Sequence, residues 1–184
     1  MKKPILFLDF EDSFTFNVIQ ELELLGMNCE VIDWSDFRAG QQAGLVVLGP
    51  GPGHPDDYQR IFPELQSHLN WGGKFFGVCL GHQILWRLRG VKVERSLRPL
   101  HGQKVRLELD TNWKDWLGVS GEVWVQRYNS LAVKAPADNG DNFTQDGEIL
   151  ITRDLQSISY QFHPESMGTN CRDAFFRVVR RDLL

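Results

Sequence analysis

The run Gly77-Val78-Cys79-Leu80-Gly81-His82-Gln83 and the later segment His163-Pro164-Glu165 hold the residue types of a nucleophilic site. A cysteine between glycines, where an apolar stretch gives way to a helical pattern, fits a strand-turn-helix elbow that lifts one side chain into the open. The first turn of the helix that follows has free N–H groups and a positive end, which favour a thiolate and stabilise an oxyanion formed beside it. Pro164 biases His163 toward an extended conformation, and residues two apart on an extended chain face the same side. His163 and Glu165 can therefore point into one site. The imidazole would take the proton of Cys79 and deliver it to a leaving group, while the carboxylate holds its tautomer and orientation. In outline this is a Cys-His-Glu triad.

Each member has a plainer reading. Free cysteines are commonly buried and inert, but glycines on both sides of Cys79 speak against that here. Histidines usually pack or face solvent, and of His54, His68, His82, His101 and His163 only His163 is read as having a carboxylate fixed beside it. A metal site from Cys79, His82 and another histidine is the alternative, without C-x-x-C or H-E-x-x-H spacing to support it. No metal and no cofactor is expected.

The elements that must position these residues begin with four short apolar runs, Ile5–Asp9, Cys29–Asp33, Leu45–Leu48 and Lys74–Val78, separated by helical patterns or loops. This βαβ rhythm implies an α/β fold with an open, mostly parallel sheet and helices on both faces. Phe14, Val18, Leu22 and Leu25 recur at helical spacing from Ser13 to Leu25, with Asp12 or Ser13 as N-cap and Gly26 as the stop. Ile61–Asn70 and Gln83–Arg89 read as further helices. After Gly90 come β-rich stretches at Lys104–Leu109, Gly121–Gln126, Ile149–Thr152 and Ile158–Phe162, expected as antiparallel additions to the sheet. A helix from about Asn170 to Arg181 closes the pattern. Ala135–Gly147, centred on Asp138-Asn139-Gly140-Asp141-Asn142, reads as a surface turn. Leu48-Gly49-Pro50-Gly51-Pro52-Gly53 follows a strand directly, at what is the ligand-binding edge of an open α/β sheet. It lacks the Lys-Ser/Thr of a phosphate loop, so a stiff turn whose N–H groups approach a substrate closely is the expectation, with an ordinary tight turn as the plain alternative.

The 184 residues suit a single domain, 1–184, with a sizeable core. A net charge of −4 with mixed signs and no basic stripe argues against nucleic acid. Met1-Lys2-Lys3 before Ile5–Leu8 imitates a secretory signal, but Asp9, Glu11 and Asp12 interrupt the apolar run, and no stretch reaches the length of a membrane span. Three widely spaced cysteines look like reduced thiols of a cytoplasmic protein, with Cys29 and Cys171 as packing residues.

Taken together, Asp12-Ser13-Phe14-Thr15-Phe16-Asn17, the Pro50–Gly53 turn, Gly77–Gln83, His101-Gly102, Arg127-Tyr128-Asn129-Ser130-Leu131 and Gln161-Phe162-His163-Pro164-Glu165-Ser166 resemble the class I, or triad-type, glutamine amidotransferases. The Asp-Ser-Phe-Thr element resembles the branch that serves anthranilate synthase and para-aminobenzoate synthase. The resemblance implies that Cys79 attacks the side-chain amide of L-glutamine, that N–H groups of Leu80 and the Gly51 turn hold the oxyanion, and that His163 protonates departing ammonia. Gly51, Pro52, Gly53, Leu80, Gln83, Ser130 and Leu131 would line the glutamine pocket. It also implies a separate chorismate-using synthase subunit as partner, which receives the ammonia and holds any magnesium. Three places depart from the family pattern: Phe10-Glu11 for Asn-Tyr, Asn129 for His, and Ser159-Tyr160 for Gly-Val. The first two lie in segments that resemble partner-facing or substrate-side regions and so bear on the partner. Trp86, Arg87 and Arg89 make the helix after the elbow unusually bulky.

Other readings remain open on the sequence. An amidotransferase serving a different acceptor synthase is one, and a catalytically weak partner-binding relative is another. An α/β-hydrolase with a cysteine nucleophile would also use G-x-C-x-G, but such enzymes place the acid before the histidine. Trp113 and Trp116, at i and i+3, can share a helical face as a protein contact, or simply cover the core.

Overall fold

The computed structural model describes residues 4–40, 43–134 and 142–184. Its elements are β1 (Ile5–Asp9), α1 (Thr15–Leu24), β2 (Cys29–Asp33), β3 (Leu45–Leu48), α2 (Phe62–Asn70), β4 (Lys74–Val78), α3 (Leu80–Leu88), β5 (Val93–Arg95), β6 (Gln103–Leu107), α4 (Thr111–Leu117), β7 (Val123–Arg127), β8 (Leu131–Val133), β9 (Asn142–Gln145), β10 (Glu148–Arg153), β11 (Ser157–Tyr160) and α5 (Arg172–Leu183). The four strands expected in the first half occur at the expected bounds. The helices start or stop within a few residues of expectation, and Gly26 ends α1 at φ 75°. The N-cap of α1 is Phe14, with no side-chain cap, rather than Asp12 or Ser13; Asp12 accepts from the Phe14 N–H at 2.8 Å just ahead of the helix.

Seven strands form one sheet in the order β2-β1-β3-β4-β11-β10-β9. β2, β1, β3, β4 and β11 run parallel, and β10 and β9 continue antiparallel. Two expectations are corrected here. β11 is a parallel neighbour of β4, with Tyr160 opposite Val78, because the β10–β11 hairpin turns the chain back before β11 docks beside β4. β6 and β7 pair only with each other, outside the main sheet, as do β5 and β8. Residues 135–141 of the expected surface turn lie outside the described residues, and Asn142 already begins β9.

Side-chain alternation along the strands divides the core in two. Ile5, Phe7, Leu45, Val47, Phe76 and Val78 face Val18 and Leu22 of α1 and Phe175, Phe176 and Val179 of α5. Leu6, Leu8, Val46, Leu48 and Phe75 face Leu65 of α2 and Ile84 and Leu85 of α3. A smaller cluster joins Trp86 to Val93, Val133 and Ile149. The bulk of α3 is thereby explained: Trp86 donates to the Thr152 hydroxyl at 3.0 Å, Arg87 pairs with Asp56 at 2.6 Å, and Arg89 bonds Asp154 and Ser157. Trp113 is buried against Trp116, with the Arg153 guanidinium over both rings, so this pair covers the core.

The order 2-1-3-4 reverses direction between β1 and β3, and in open α/β sheets such a switch point opens a crevice at the carboxyl ends of the strands. Both glycines of the elbow are needed there to let α3 lie against the sheet. A Cβ on Gly81 would sit 2.1 Å from the Leu48 carbonyl oxygen, and one on Gly77 2.8 Å from the Gly81 carbonyl carbon. We expect Gly81→Ala to lower the melting temperature by roughly 5–10 °C, since forcing a methyl into packed backbone costs on the order of 1–3 kcal/mol. Gly121→Ala, where an added Cβ meets nothing within 4 Å, is the comparison. Equal melting of the two variants would contradict the close approach.

Candidate active site

Cys79 stands between the last residue of β4 and the first of α3, with φ 51° and ψ −98°. A non-glycine residue held there costs on the order of 1–3 kcal/mol, strain that the surrounding structure must over-determine. Its N–H is held by the Tyr160 carbonyl at 2.8 Å, and its carbonyl accepts from Gln83 N–H at 3.1 Å. The side chain remains partly exposed. Leu80 opens α3, so its N–H belongs to the first turn, which has no intrahelical acceptor.

His163 and Glu165 follow β11. Because β11 lies beside β4 in parallel, both strands end at the same sheet edge and His163 arrives at Cys79. His163 Nδ1 lies 2.6 Å from Glu165 Oε1, and both side chains are almost fully buried. Burial would depress the His163 pKa; the charges of Cys79 and Glu165, with hydrogen bonds to both, outweigh it and hold the ring well above the usual histidine range. The imidazolium form is thereby favoured, between a sulfur and a carboxylate. Such a group can donate a proton to a leaving nitrogen and, once neutral, accept one from water.

The segment that carries His163 is tied down at several points. Its N–H donates to the Gln126 carbonyl at 2.9 Å, and its carbonyl accepts from the Thr169 hydroxyl at 2.8 Å. The Gln126 Oε1 accepts from Ser166 Oγ at 2.5 Å and Gly168 N–H at 2.9 Å. A Cβ on Gly168 would lie 2.2 Å from that oxygen, so the glycine is required by Gln126. Phe14 and Tyr128 pack on the imidazole with ring centroids 4.9 and 5.0 Å away.

The residues expected to line a pocket are only partly gathered. A Cβ on Gly51 would be 2.4 Å from Leu80 Cδ2, so the glycine turn lies directly against the elbow. Pro52 is fixed through its carbonyl, which accepts from Tyr58 at 2.9 Å, and Gly53 adopts φ 75° over Asp57. Gln83 donates to the Leu131 carbonyl at 3.0 Å and to Gln161 Oε1 at 3.2 Å. Ser130 is exposed, its carbonyl accepting from Ser96 N–H at 2.9 Å.

Several expectations need correction. His54-Pro55-Asp56 repeats the His-Pro-acid spacing, so His163 is not alone in having a carboxylate two residues on; His54 instead accepts from Asp56 N–H and caps the turn Pro55–Ile61. His82 faces away from Cys79: its Nδ1 lies 2.8 Å from Ser159 Oγ, and burial depresses its pKa to about 3. Phe10 and Asn129 are buried and act beneath the site, while Glu11, the other half of the first departure, is exposed with φ 61°. Phe10 packs against Trp34 and Tyr58, behind the Gly51 turn. Cys29 is partly buried, with its pKa pushed up to about 12, but Cys171 is exposed and does no packing.

Two features escaped the sequence. Gln161 points its Nε2 at the Cys79 sulfur across 3.8 Å; it lies two residues before His163, so the same alternation that paired His163 with Glu165 could have found it. A buried ion pair, Arg127 with Glu148 at 2.5 Å, underlies the Asn129 loop, and nothing local announces a partner so far along the chain. A cavity of about 870 Å³ lies at the opposite sheet edge, among Lys74, Arg89, Arg153 and Asp182, and touches none of the triad. No helix among the described residues is long and apolar enough to cross a membrane.

The family profile described as glutamine amidotransferase class-I matches residues 6–180. The chain is 35% identical over 175 residues to the pyocyanine-specific anthranilate synthase component 2 of Pseudomonas aeruginosa, covering 90% of this chain and 86% of that one. Against anthranilate synthase component 2 of Haemophilus influenzae it is 33% identical, covering 90% of both. It also matches the phenazine-specific anthranilate synthase of Pseudomonas fluorescens at 30% identity, but spans only 27% of that protein's length. Among solved structures, a glutamine amidotransferase from Thermotoga maritima shares the fold with a TM-score of 0.70 at 18% identity, covering 100% of this chain and 84% of that one.

Proposed function

Since the chain belongs to the class I glutamine amidotransferase family, we propose that it hydrolyses L-glutamine through Cys79, His163 and Glu165 and passes the ammonia to a chorismate-using synthase subunit. The observation that carries this reading is the constellation itself: a cysteine in a strained elbow, meeting a buried imidazole that a carboxylate holds at 2.6 Å. The Cys79 sulfur attacks the amide carbon of glutamine, and the oxyanion is received by the Leu80 N–H and the Gly51 turn. His163 gives its proton to the departing nitrogen as the C–N bond breaks, releasing ammonia and leaving a glutamyl thioester. The neutral ring then takes a proton from water, which adds to the thioester; the C–S bond breaks and glutamate leaves. A neutral amide requires neither metal nor cofactor for these steps.

Ammonia released to water is mostly protonated and loses its nucleophilicity, so transfer to a docked partner follows from the chemistry. The names of the relatives, anthranilate synthase component 2 and aminodeoxychorismate synthase, support a chorismate-using partner. We expect weak glutamine hydrolysis by the isolated chain and strong stimulation by its synthase with chorismate present, because docking completes the productive geometry. The check is to mix the purified chain with each candidate synthase of its own organism and follow glutamate and aminated product together. Stimulation only by a partner that does not use chorismate would reassign the acceptor and leave the glutamine chemistry standing.

A further inference from the structure

We propose that Gln161 belongs to the reaction machinery as a hydrogen-bond donor to the Cys79 sulfur, and that Gln83 is the positioning residue that decides which end of the Gln161 carboxamide faces it. The orientation of each amide is forced by its neighbours. The Leu131 carbonyl can only accept, so Gln83 must present Nε2 to it, at 3.0 Å. The second hydrogen of the same Nε2 goes to Gln161 Oε1 at 3.2 Å. With its oxygen so engaged, Gln161 turns its own Nε2 to Cys79 Sγ, at 3.8 Å. Gln161 is fully buried and Gln83 nearly so, and a reversed amide in either place would leave buried polar atoms facing like atoms.

The start of this relay is fixed just as firmly. Asn129 Nδ2 also donates to the Leu131 carbonyl, at 2.9 Å, and Asn129 Oδ1 accepts from Arg127 Nε at 3.0 Å. Arg127 is in turn held by Glu148. Asn129 so anchors the Leu131 carbonyl, and from that carbonyl obligatory donor and acceptor choices run through Gln83 and Gln161 to the nucleophile. The relay gives the Asn129 departure a role, and it adds one to Gln83: both of its N–H groups are committed inside the protein, which leaves its Oε1 as the atom to meet a substrate. An N–H dipole aimed at sulfur stabilises negative charge there and fixes the position from which it attacks.

This inference rests on Cys79 being the nucleophile, which Cys79→Ser tests separately by glutamine hydrolysis. The relay is tested without glutamine. The full chain is treated with iodoacetamide across a pH series, and modification of each cysteine is followed by peptide mass spectrometry. Exposed Cys171 serves as the internal reference. Gln161→Met removes the donor at similar size. Gln83→Glu removes both N–H groups, so that Gln161 reverses and sets its oxygen against the sulfur. Both variants should slow Cys79 alkylation at neutral pH roughly tenfold, a shift of about one pH unit in its profile, with Cys171 unchanged. A Gln83 that merely held glutamine would raise KM and leave this profile unaltered. A Cys79 profile within about twofold of wild type in either variant that retains the native circular dichroism overturns the proposal.

Discussion

Glutamine hydrolysis should fall by at least about 10³-fold when Cys79 is replaced by serine, the scale expected for loss of a covalent nucleophile. The reason is specific to this elbow. Serine fits the same φ 51° position, between the same glycines, so the fold and the His163–Glu165 pair should persist. What changes is the atom: a hydroxyl is ionised far less readily than a thiol, and the charge on sulfur that helps to hold the His163 pKa up is lost with it. In complex with its synthase, the variant should still support amination from added ammonium salts, because only the source of ammonia is lost. Glutamate release close to wild type in Cys79→Ser would remove the triad assignment.

His163→Ala should be nearly as severe, while Glu165→Ala should leave clearly more turnover. Among the described residues the histidine is the group placed to protonate the leaving nitrogen, whereas the carboxylate acts by orienting it from 2.6 Å. Without Glu165 the ring keeps its backbone anchors at Gln126 and Thr169 and its packing against Phe14 and Tyr128, so it stays near the sulfur. Loss of Glu165 also removes one of the two charges that hold the His163 pKa up, so burial gains weight and the pKa falls. The pH above which the imidazolium is lost should therefore move down in Glu165→Ala. The double variant Cys79→Ser/His163→Ala should be little worse than either single one, as for groups that act as a unit. Multiplicative losses in steady-state kinetics would separate them.

Local rules carried the sequence reading a long way. Short β-rich runs named the first four strands, Gly26 named the end of α1, and Gly77, Cys79 and Gly81 named the elbow, because each expresses a constraint acting within a few residues. The pairing of His163 with Glu165 was legible for the same reason: an extended chain repeats every two residues. Tertiary structure decided what no local rule reaches. The parallel docking of β11 on β4 is a long-range choice, and it alone brings His163 to Cys79. Burial of Phe10 and Asn129 depends on what packs over them, so these two lie under the Gly51 turn and in the Arg127–Glu148 network while Glu11 beside them stays exposed. His54 and His163 show the same division. Both begin a His-Pro-acid run, yet the first ring is held by the Asp56 N–H and the Val93 carbonyl as the cap of a helical turn, while β11 delivers the second beside the end of β4, where it meets a nucleophile.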